Sequence, residues 1–377
     1  MLQTPLRQFH LDHNATMVEF AGWEMPIRYG SIVEEHEHTR RSGGIFDVSH
    51  MGRVVFKGLH ARRLLERTCS RRIGNMTPGQ CRYTLVCNEQ GGVRDDVIVY
   101  RTDDDEFLVV VNAANRPKML EHFERVRAEN NWKVGIEDRT EKTAMVALQG
   151  PKVMDLIAKV SKEIPALKRY RFAVKNLVVM KLTVSRTGYT GEDGVEVILP
   201  ATGVGMALKF LLKDNKDEAG AEILRPAGLG ARDSLRLEAG MPLYGHELGE
   251  EINALACGVD FAISLDKNKD EDGETFIGQE ALLRTRDAGG PGRRVVGLRC
   301  EGKRTPRQGM KIRAGDGSGE VGEVSSGCAS PTLGYPIAMG FVVADQTAAG
   351  TKLTIVTDKG AEIPAEVVAL PFYKAPK

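Results

Sequence analysis

A chain of 377 residues exceeds what one ordinary hydrophobic core organises, so two or three domains are expected. Its 42% hydrophobic and 27% charged residues are those of an ordinary soluble globular protein, which is the expected class. With 52 Lys and Arg against 51 Asp and Glu the net charge is +1, which supplies no global field toward nucleic acid or an anionic membrane, so neither is expected as a partner.

The first clear element is Ile45-Phe-Asp-Val-Ser-His-Met51, which follows Gly43-Gly44 and reads as a strand. A hairpin-like turn at Asn88-Glu-Gln-Gly-Gly92 precedes Val93–Tyr100, where residues alternate with period two. Phe107–Val111 is a continuous apolar run suited to a strand covered on both faces. Asn115 is placed to cap a helix whose inward face carries Met119, Leu120, Phe123 and Val126.

A second module follows, with a strand over Ala144–Leu148, a stop at Gly150-Pro151 and a helix over Lys152–Val160. Strands over Leu177–Val184 and Val195–Leu199 flank a glycine-rich turn, and helices are expected over Val204–Leu212 and from Leu229 to Leu237. Strands and helices mix without the strict alternation of a doubly wound sheet. Asp266–Gly292 is rich in charge and glycine and reads as a module boundary. Beyond it, short strands at Val295–Leu298, Ile337–Val343, Leu353–Val356 and Ala365–Leu370 predict a small all-β barrel or sandwich.

No run approaches the roughly 20 apolar residues of a membrane span, and the opening Met1-Leu-Gln-Thr-Pro5 carries no apolar signal segment. Cys69, Cys81, Cys87, Cys257, Cys300 and Cys328 form no CxxC pair, so reduced thiols and a cytoplasmic setting are expected.

Three segments could carry chemistry. Asp95-Asp96 lies inside an apolar strand, so one of the two carboxylates must face covered surface. Such a group is either bonded to backbone at a strand end or used to orient and polarise an amine. In Arg186-Thr-Gly-Tyr-Thr-Gly-Glu-Asp-Gly-Val-Glu196, three glycines let the backbone turn tightly, with Tyr189 and Glu196 on either side. A carboxylate there suits the adjacent N–H donors of a pterin-like ring; the plain alternative is a decorated hairpin. Arg232, Arg236 and Gly240 recur at a helical spacing of four, giving either solvated i,i+4 pairs or, at Arg232, a fork donor for a carboxylate with Asp233 holding it.

Other chemistries find no pattern. Gly203-Val-Gly205 lacks the third glycine and the strand of a dinucleotide site, and there is no Walker motif. The eight histidines include only the pairs His36/His38 and His10/His13, without cysteine ligands, so no metal site is expected. No GxSxG elbow appears.

Read together, the segments resemble the glycine cleavage T-protein family in order and over nearly the whole chain. The matching stretches are Phe20-Ala-Gly-Trp-Glu-Met-Pro-Ile27, Phe46-Asp-Val-Ser-His-Met51, Gly91-Gly-Val-Arg-Asp-Asp96, Val111-Asn-Ala113 and Ala147-Leu-Gln-Gly-Pro151. Arg186–Glu196, Ala231–Gly240, Phe276-Ile-Gly-Gln-Glu280, Ser326-Gly-Cys328 and Ala338-Met-Gly-Phe341 continue the match. Each stretch alone would fit many proteins; in this order they fit one family.

The resemblance implies an α+β fold, a three-lobed ring of two interleaved ferredoxin-like α+β lobes and a C-terminal all-β barrel around tetrahydrofolate. Residues 1–285 would form the folate-binding region, with the second lobe at roughly 52–140, and residues 286–377 the barrel. By motif, Asp96 would be the catalytic carboxylate near the reacting nitrogens. Met51, Tyr83, Val110 and Asn112 would line the pocket, Tyr189 and Glu196 would hold the pterin with Arg232 nearby, and Arg294 would join from the barrel. Where the family often carries a proline and then a tryptophan, this chain has Ala254 and Phe261, so Phe261 would still meet the folate, with altered packing and without loss of the site.

The implied activity is transfer of an aminomethyl-derived carbon from the lipoylated H-protein to tetrahydrofolate with release of ammonia. Two alternatives share the fold: another tetrahydrofolate-dependent demethylase or methyltransferase, and a non-catalytic folate-binding protein. The latter relatives carry a cysteine near the stretch matching Leu243-Tyr-Gly-His-Glu247, which has none here.

Overall fold

The computed structural model describes residues 1–177, 180–271, 273–317 and 319–376. It divides into two compact units. One comprises Met1–Leu64, Asn75–Tyr83 and Val97–Asp233; the other comprises Leu65–Gly74, Thr84–Asp96 and the chain from Ser234 onward. Among the described residues no helix is long and apolar enough to cross a membrane.

The first unit is built on a six-stranded sheet in the order Phe172–Leu177, Met180–Ser185, Gly194–Pro200, Thr143–Gln149, Gly43–Asp47, Leu224–Pro226. Pairing is antiparallel except where Leu224–Pro226 runs parallel to Gly43–Asp47 at the edge. Thr143–Gln149 is central, and burial of both its faces explains why the sequence there is apolar without alternation. Other strands of the sheet supply Ile45, Leu182, Val184, Val195 and Leu199 to a core closed by Val153 and Leu156 of one helix and Val204 and Leu208 of another.

The helices occupy Val153–Ala158 and Val204–Lys213, within a residue or two of expectation at most ends. The strand expected over Leu177–Val184 is found as Met180–Ser185, with residues 178 and 179 outside the described residues. The strand expected to reach Met51 stops at Asp47, whose carboxylate accepts the Ser49 N–H and turns the chain out of the sheet.

A second sheet has the order Cys81–Cys87, Val93–Asp103, Glu106–Val111, Gly52–Lys57, Gly135–Asp138. The unit boundaries fall within its first two strands, after Tyr83 and before Val97. Arg116–Glu129 forms the helix that buries Met119, Phe123 and Val126, with Phe123 edge-on to Phe56 at 4.9 Å. Two details differ from expectation. His122, not Leu120, takes the remaining buried position. Asn115 does not cap the helix through its side chain; it closes a 3-10 turn, Ala113–Asn115, that feeds straight into it.

The second unit holds a closed barrel of six antiparallel strands: Arg293–Cys300, Pro336–Val343, Glu320–Ala329, Lys311–Ala314, Lys352–Val356 and Glu362–Val368. Val296, Leu298, Ile312, Val324, Val342, Leu353, Ile355, Ile363 and Val367 fill it. Lys311–Ala314 and Glu320–Ala329 escaped the sequence reading because alternate positions are charged or small, so neither forms an apolar run. Charge likewise hid the helix Gln279–Asp287 inside the glycine-rich boundary segment, of which residue 272 lies outside the described residues. The fold is therefore mixed α+β with a C-terminal closed six-stranded β-barrel.

Candidate active site

In the first unit the glycine-rich turn is a pinned structure and not a plain hairpin. Gln149, wholly buried on the central strand, donates to the carbonyls of Leu148, Thr187 and Val195 and accepts from Thr190 Oγ1 at 3.0 Å. Arg40 Nη1 reaches the Thr190 carbonyl at 2.7 Å and Glu192 at 2.8 Å, and Arg186 grips both oxygens of Asp193. A Cβ on Gly188 would lie 1.9 Å from Gln149 Oε1, so only glycine lets this amide enter the turn.

Glu196 sits on Gly194–Pro200 directly opposite Ser185 and Ala147 in the sheet. Its buried carboxylate accepts the Thr187 hydroxyl; Thr187 Oγ1 lies 2.7 Å from Ser185 Oγ, and Ser185 Oγ lies 3.1 Å from the Tyr100 hydroxyl. Burial raises the Glu196 pKa above the usual carboxylate value, opposed by the Thr187 hydrogen bond and by the Arg232 charge. Arg232 places its guanidinium carbon 4.7 Å from the Tyr189 ring centroid. Its Nη1 is buried and has no hydrogen-bond partner. Tyr189, Glu196 and Arg232 thus come together, with a ring face, a carboxylate and an unsatisfied donor. Asp233 is exposed, and the Arg232 guanidinium stacks on Tyr189.

Met51 and Val110 are placed by a residue the sequence reading overlooked. Arg53 is fully buried, opposes Val110 in the sheet, and donates to the carbonyls of Ser49, Met51, Thr140 and Thr143. An arginine inside the apolar Gly52–Lys57 strand was the available clue. Val110 is buried, Met51 and Tyr83 are half-buried, and Asn112 is half-buried just before the 3-10 turn. Beside this loop Asp47 accepts from His10 Nε2 at 2.9 Å, and His10 Nδ1 meets the Tyr29 hydroxyl at 2.8 Å. Burial alone would raise the Asp47 pKa; the His10 hydrogen bond and charge outweigh it and hold it below the usual value.

In the second unit Val93 and Gly92 are anchored through Gly249 and Asn88, which fixes the start of the strand carrying the aspartates. Asp95 is the wholly buried member of the pair and Asp96 the half-buried one. The Cys257 thiol is buried near Cys87 and Asp96, and burial first, then those two groups, push its pKa upward. Ala254 is fully buried and donates its N–H to the Gly91 carbonyl, so it is a packing position. Phe261 is 59% exposed on the 3-10 turn Asp260–Ala262, with the Arg71 guanidinium 5.8 Å from its ring centroid. Arg294 donates to both oxygens of Asp260 at 3.1 Å, an exposed ion pair adjoining Phe261. Among the described residues no cluster of three or more His, Cys, Asp or Glu is arranged to hold a metal ion.

Residues 6–267 match the family described as the GCVT N-terminal domain, and residues 293–374 match the glycine cleavage T-protein C-terminal barrel domain. An aminomethyltransferase of Rubrobacter xylanophilus is 45% identical over 375 residues, covering 99% of this chain and 94% of that protein. An aminomethyltransferase of Streptomyces coelicolor is 42% identical, with 100% of each chain covered. Among solved structures, the glycine cleavage system aminomethyltransferase T from Bartonella henselae is similar with a TM-score of 0.89 and 29% identity, over 99% of this chain and 98% of that one.

Proposed function

The chain belongs to the glycine cleavage T-protein family, and from that membership we propose that it is the aminomethyltransferase of a glycine cleavage system, a tetrahydrofolate-dependent enzyme. The carbon donor is the aminomethyl group carried through sulfur on the dihydrolipoyl arm of the H-protein, and tetrahydrofolate is the co-substrate. In the balanced reaction the methylene's bonds to sulfur and to the amine nitrogen break. Two bonds to folate nitrogens form, and the two protons those nitrogens lose leave on the thiol and on ammonia.

The observation that carries the reading is the meeting of Tyr189, Glu196 and Arg232, with Arg232 Nη1 buried and unsatisfied. A reduced pterin offers the complement, a flat ring with N–H donors for Glu196 and a carbonyl for Arg232. Met51, Tyr83, Val110, Asn112 and Phe261 complete the folate contacts in this reading, with Arg294 at their margin. Asp96 is the catalytic carboxylate, orienting the folate amine and stabilising positive charge as the new bond forms. Holding arm and folate together replaces a two-molecule encounter with an oriented one.

The same proposal takes residues 1–285 as the folate-binding region, with its second lobe near 52–140, and 286–377 as the barrel domain. It sets the enzyme in the cytoplasm, a reading supported by cysteines that form no disulfide.

Purified protein incubated with tetrahydrofolate and aminomethylated, reduced H-protein should release ammonia and form methylenetetrahydrofolate in equal amounts, and Asp96→Asn should lose most of both. Folate binding without either product would overturn the assignment and favour a different donor or a non-catalytic binder.

A further inference from the structure

The loop Val48–Met51 is held from both ends. Ser49 donates its N–H to Asp47, exchanges hydrogen bonds with both backbone groups of Met145, and offers its carbonyl to Arg53 Nη1 at 2.8 Å. The Met51 carbonyl also accepts from Arg53. Between these anchors His50 is 3% exposed, and Phe20 meets its ring edge-to-face at 5.5 Å and 88°. Backbone and ring are therefore both fixed. Yet Nδ1 of His50 is buried with no hydrogen-bond partner.

A buried ring nitrogen without a partner is costly, and folded proteins keep few of them unless water or a ligand completes the bond. A second such atom lies in the same unit: Nη1 of Arg232, whose charge acts on His50 together with those of Arg53 and Asp47. Burial foremost, with Arg232 and Arg53 adding to it, lowers the His50 pKa to about 4 against the pull of Asp47. The imidazole is neutral near pH 7 and keeps both a donor and an acceptor nitrogen. Arg232 can only donate. Together they complement a ligand edge on which polar donors and acceptors alternate, as on a pterin. We infer that His50 is a folate-binding residue whose Nδ1 hydrogen-bonds the pterin edge that Arg232 Nη1 also engages; this rests on the folate reading above.

The test uses the full chain and 5-methyltetrahydrofolate, a stable reduced folate, titrated by calorimetry. An asparagine amide overlays the Nδ1 position of histidine, a glutamine amide overlays Nε2, and phenylalanine keeps the ring while removing both nitrogens. If Nδ1 makes the bond, His50→Phe and His50→Gln should each weaken binding about tenfold, and His50→Asn should recover most of the loss. In turnover assays the KM for tetrahydrofolate should rise while the KM for aminomethylated H-protein stays unchanged, which a general loosening of the fold would not produce. Unliganded melting temperatures separate misfolding from weaker binding, and should His50→Phe not fold, His50→Gln against His50→Asn carries the same comparison. Wild-type affinity in His50→Phe or His50→Gln overturns the inference alone. No folate binding by the wild type overturns the functional reading on which it stands.

Discussion

Arg232 stacks on Tyr189 with its guanidinium carbon 4.7 Å from the ring centroid. The contact holds a cation whose pKa burial lowers, and whose charge Glu196 and Tyr189 support in return. A cation–π pair of this kind contributes about 0.5–2 kcal/mol. Tyr189→Phe keeps the ring and is expected to bind reduced folate within about twofold of wild type. Tyr189→Leu removes the ring face and is expected to weaken binding roughly 3- to 30-fold. Equal affinities for the phenylalanine and leucine variants in a folate titration would show that the stack does not position Arg232 for the ligand.

Glu196 links the site to pH. Its folded pKa is raised, chiefly by burial, above the usual 4.5. The native state therefore holds this proton more tightly than the unfolded chain does. The sign follows: the group's contribution to stability is fully present below the usual value and is lost as pH rises through the raised one. Glu196→Gln cannot ionise and lacks that loss. Thermal unfolding of both proteins between pH 4 and 8 should show the variant gaining on wild type as pH increases. A constant difference across the range would contradict the assigned direction.

The Arg236–Glu247 pair is a buried ion pair of the second unit. Both side chains are fully buried at 3.0 Å, and Arg236 also donates to Ser326 Oγ and to the Met241 carbonyl while Glu247 accepts from Ser325. Removing one partner strands a buried charge, at a cost of about 3–5 kcal/mol. Glu247→Ala should show that loss in denaturant unfolding, and a change below about 1 kcal/mol would mean the arginine finds solvent or another partner.

Phe261 offers the opposite case. At 59% exposure and with its ring beside the Arg71 guanidinium, it should tolerate Phe261→Ala with a stability change within about 0.5 kcal/mol. On the proposed function the same variant should raise the KM for tetrahydrofolate. Unchanged stability with unchanged KM would remove Phe261 from the folate contacts.

Much of the fold was legible because it rests on local pattern. The apolar Thr143–Gln149 strand, the helix buried through Met119, Phe123 and Val126, and most barrel strands announce themselves by burial-driven periodicity. The asymmetry of Asp95 and Asp96 followed from strand alternation, although which was buried did not. What the sequence hides is pairing at a distance. Arg236 and Ser326 stand 90 positions apart, and Asp47 and His10 stand 37 apart. Nothing in either local sequence names the other. Arg232 fell between these cases: helical spacing singled it out, but only the folded turn brings Tyr189 beneath it.

The closure of the barrel has a consequence for how the protein behaves when crowded. Each of its six strands has a neighbour on both sides, so this sheet presents no free edge strand to a second chain. The six-stranded sheet of the first unit does end, at Phe172–Leu177, and there the exposed Val174 is followed by Lys175, tied to Glu163. A charge at that place opposes edge-to-edge growth of sheets between molecules, and Lys175→Val should convert this border into a nucleus for aggregation while leaving the barrel as resistant as before.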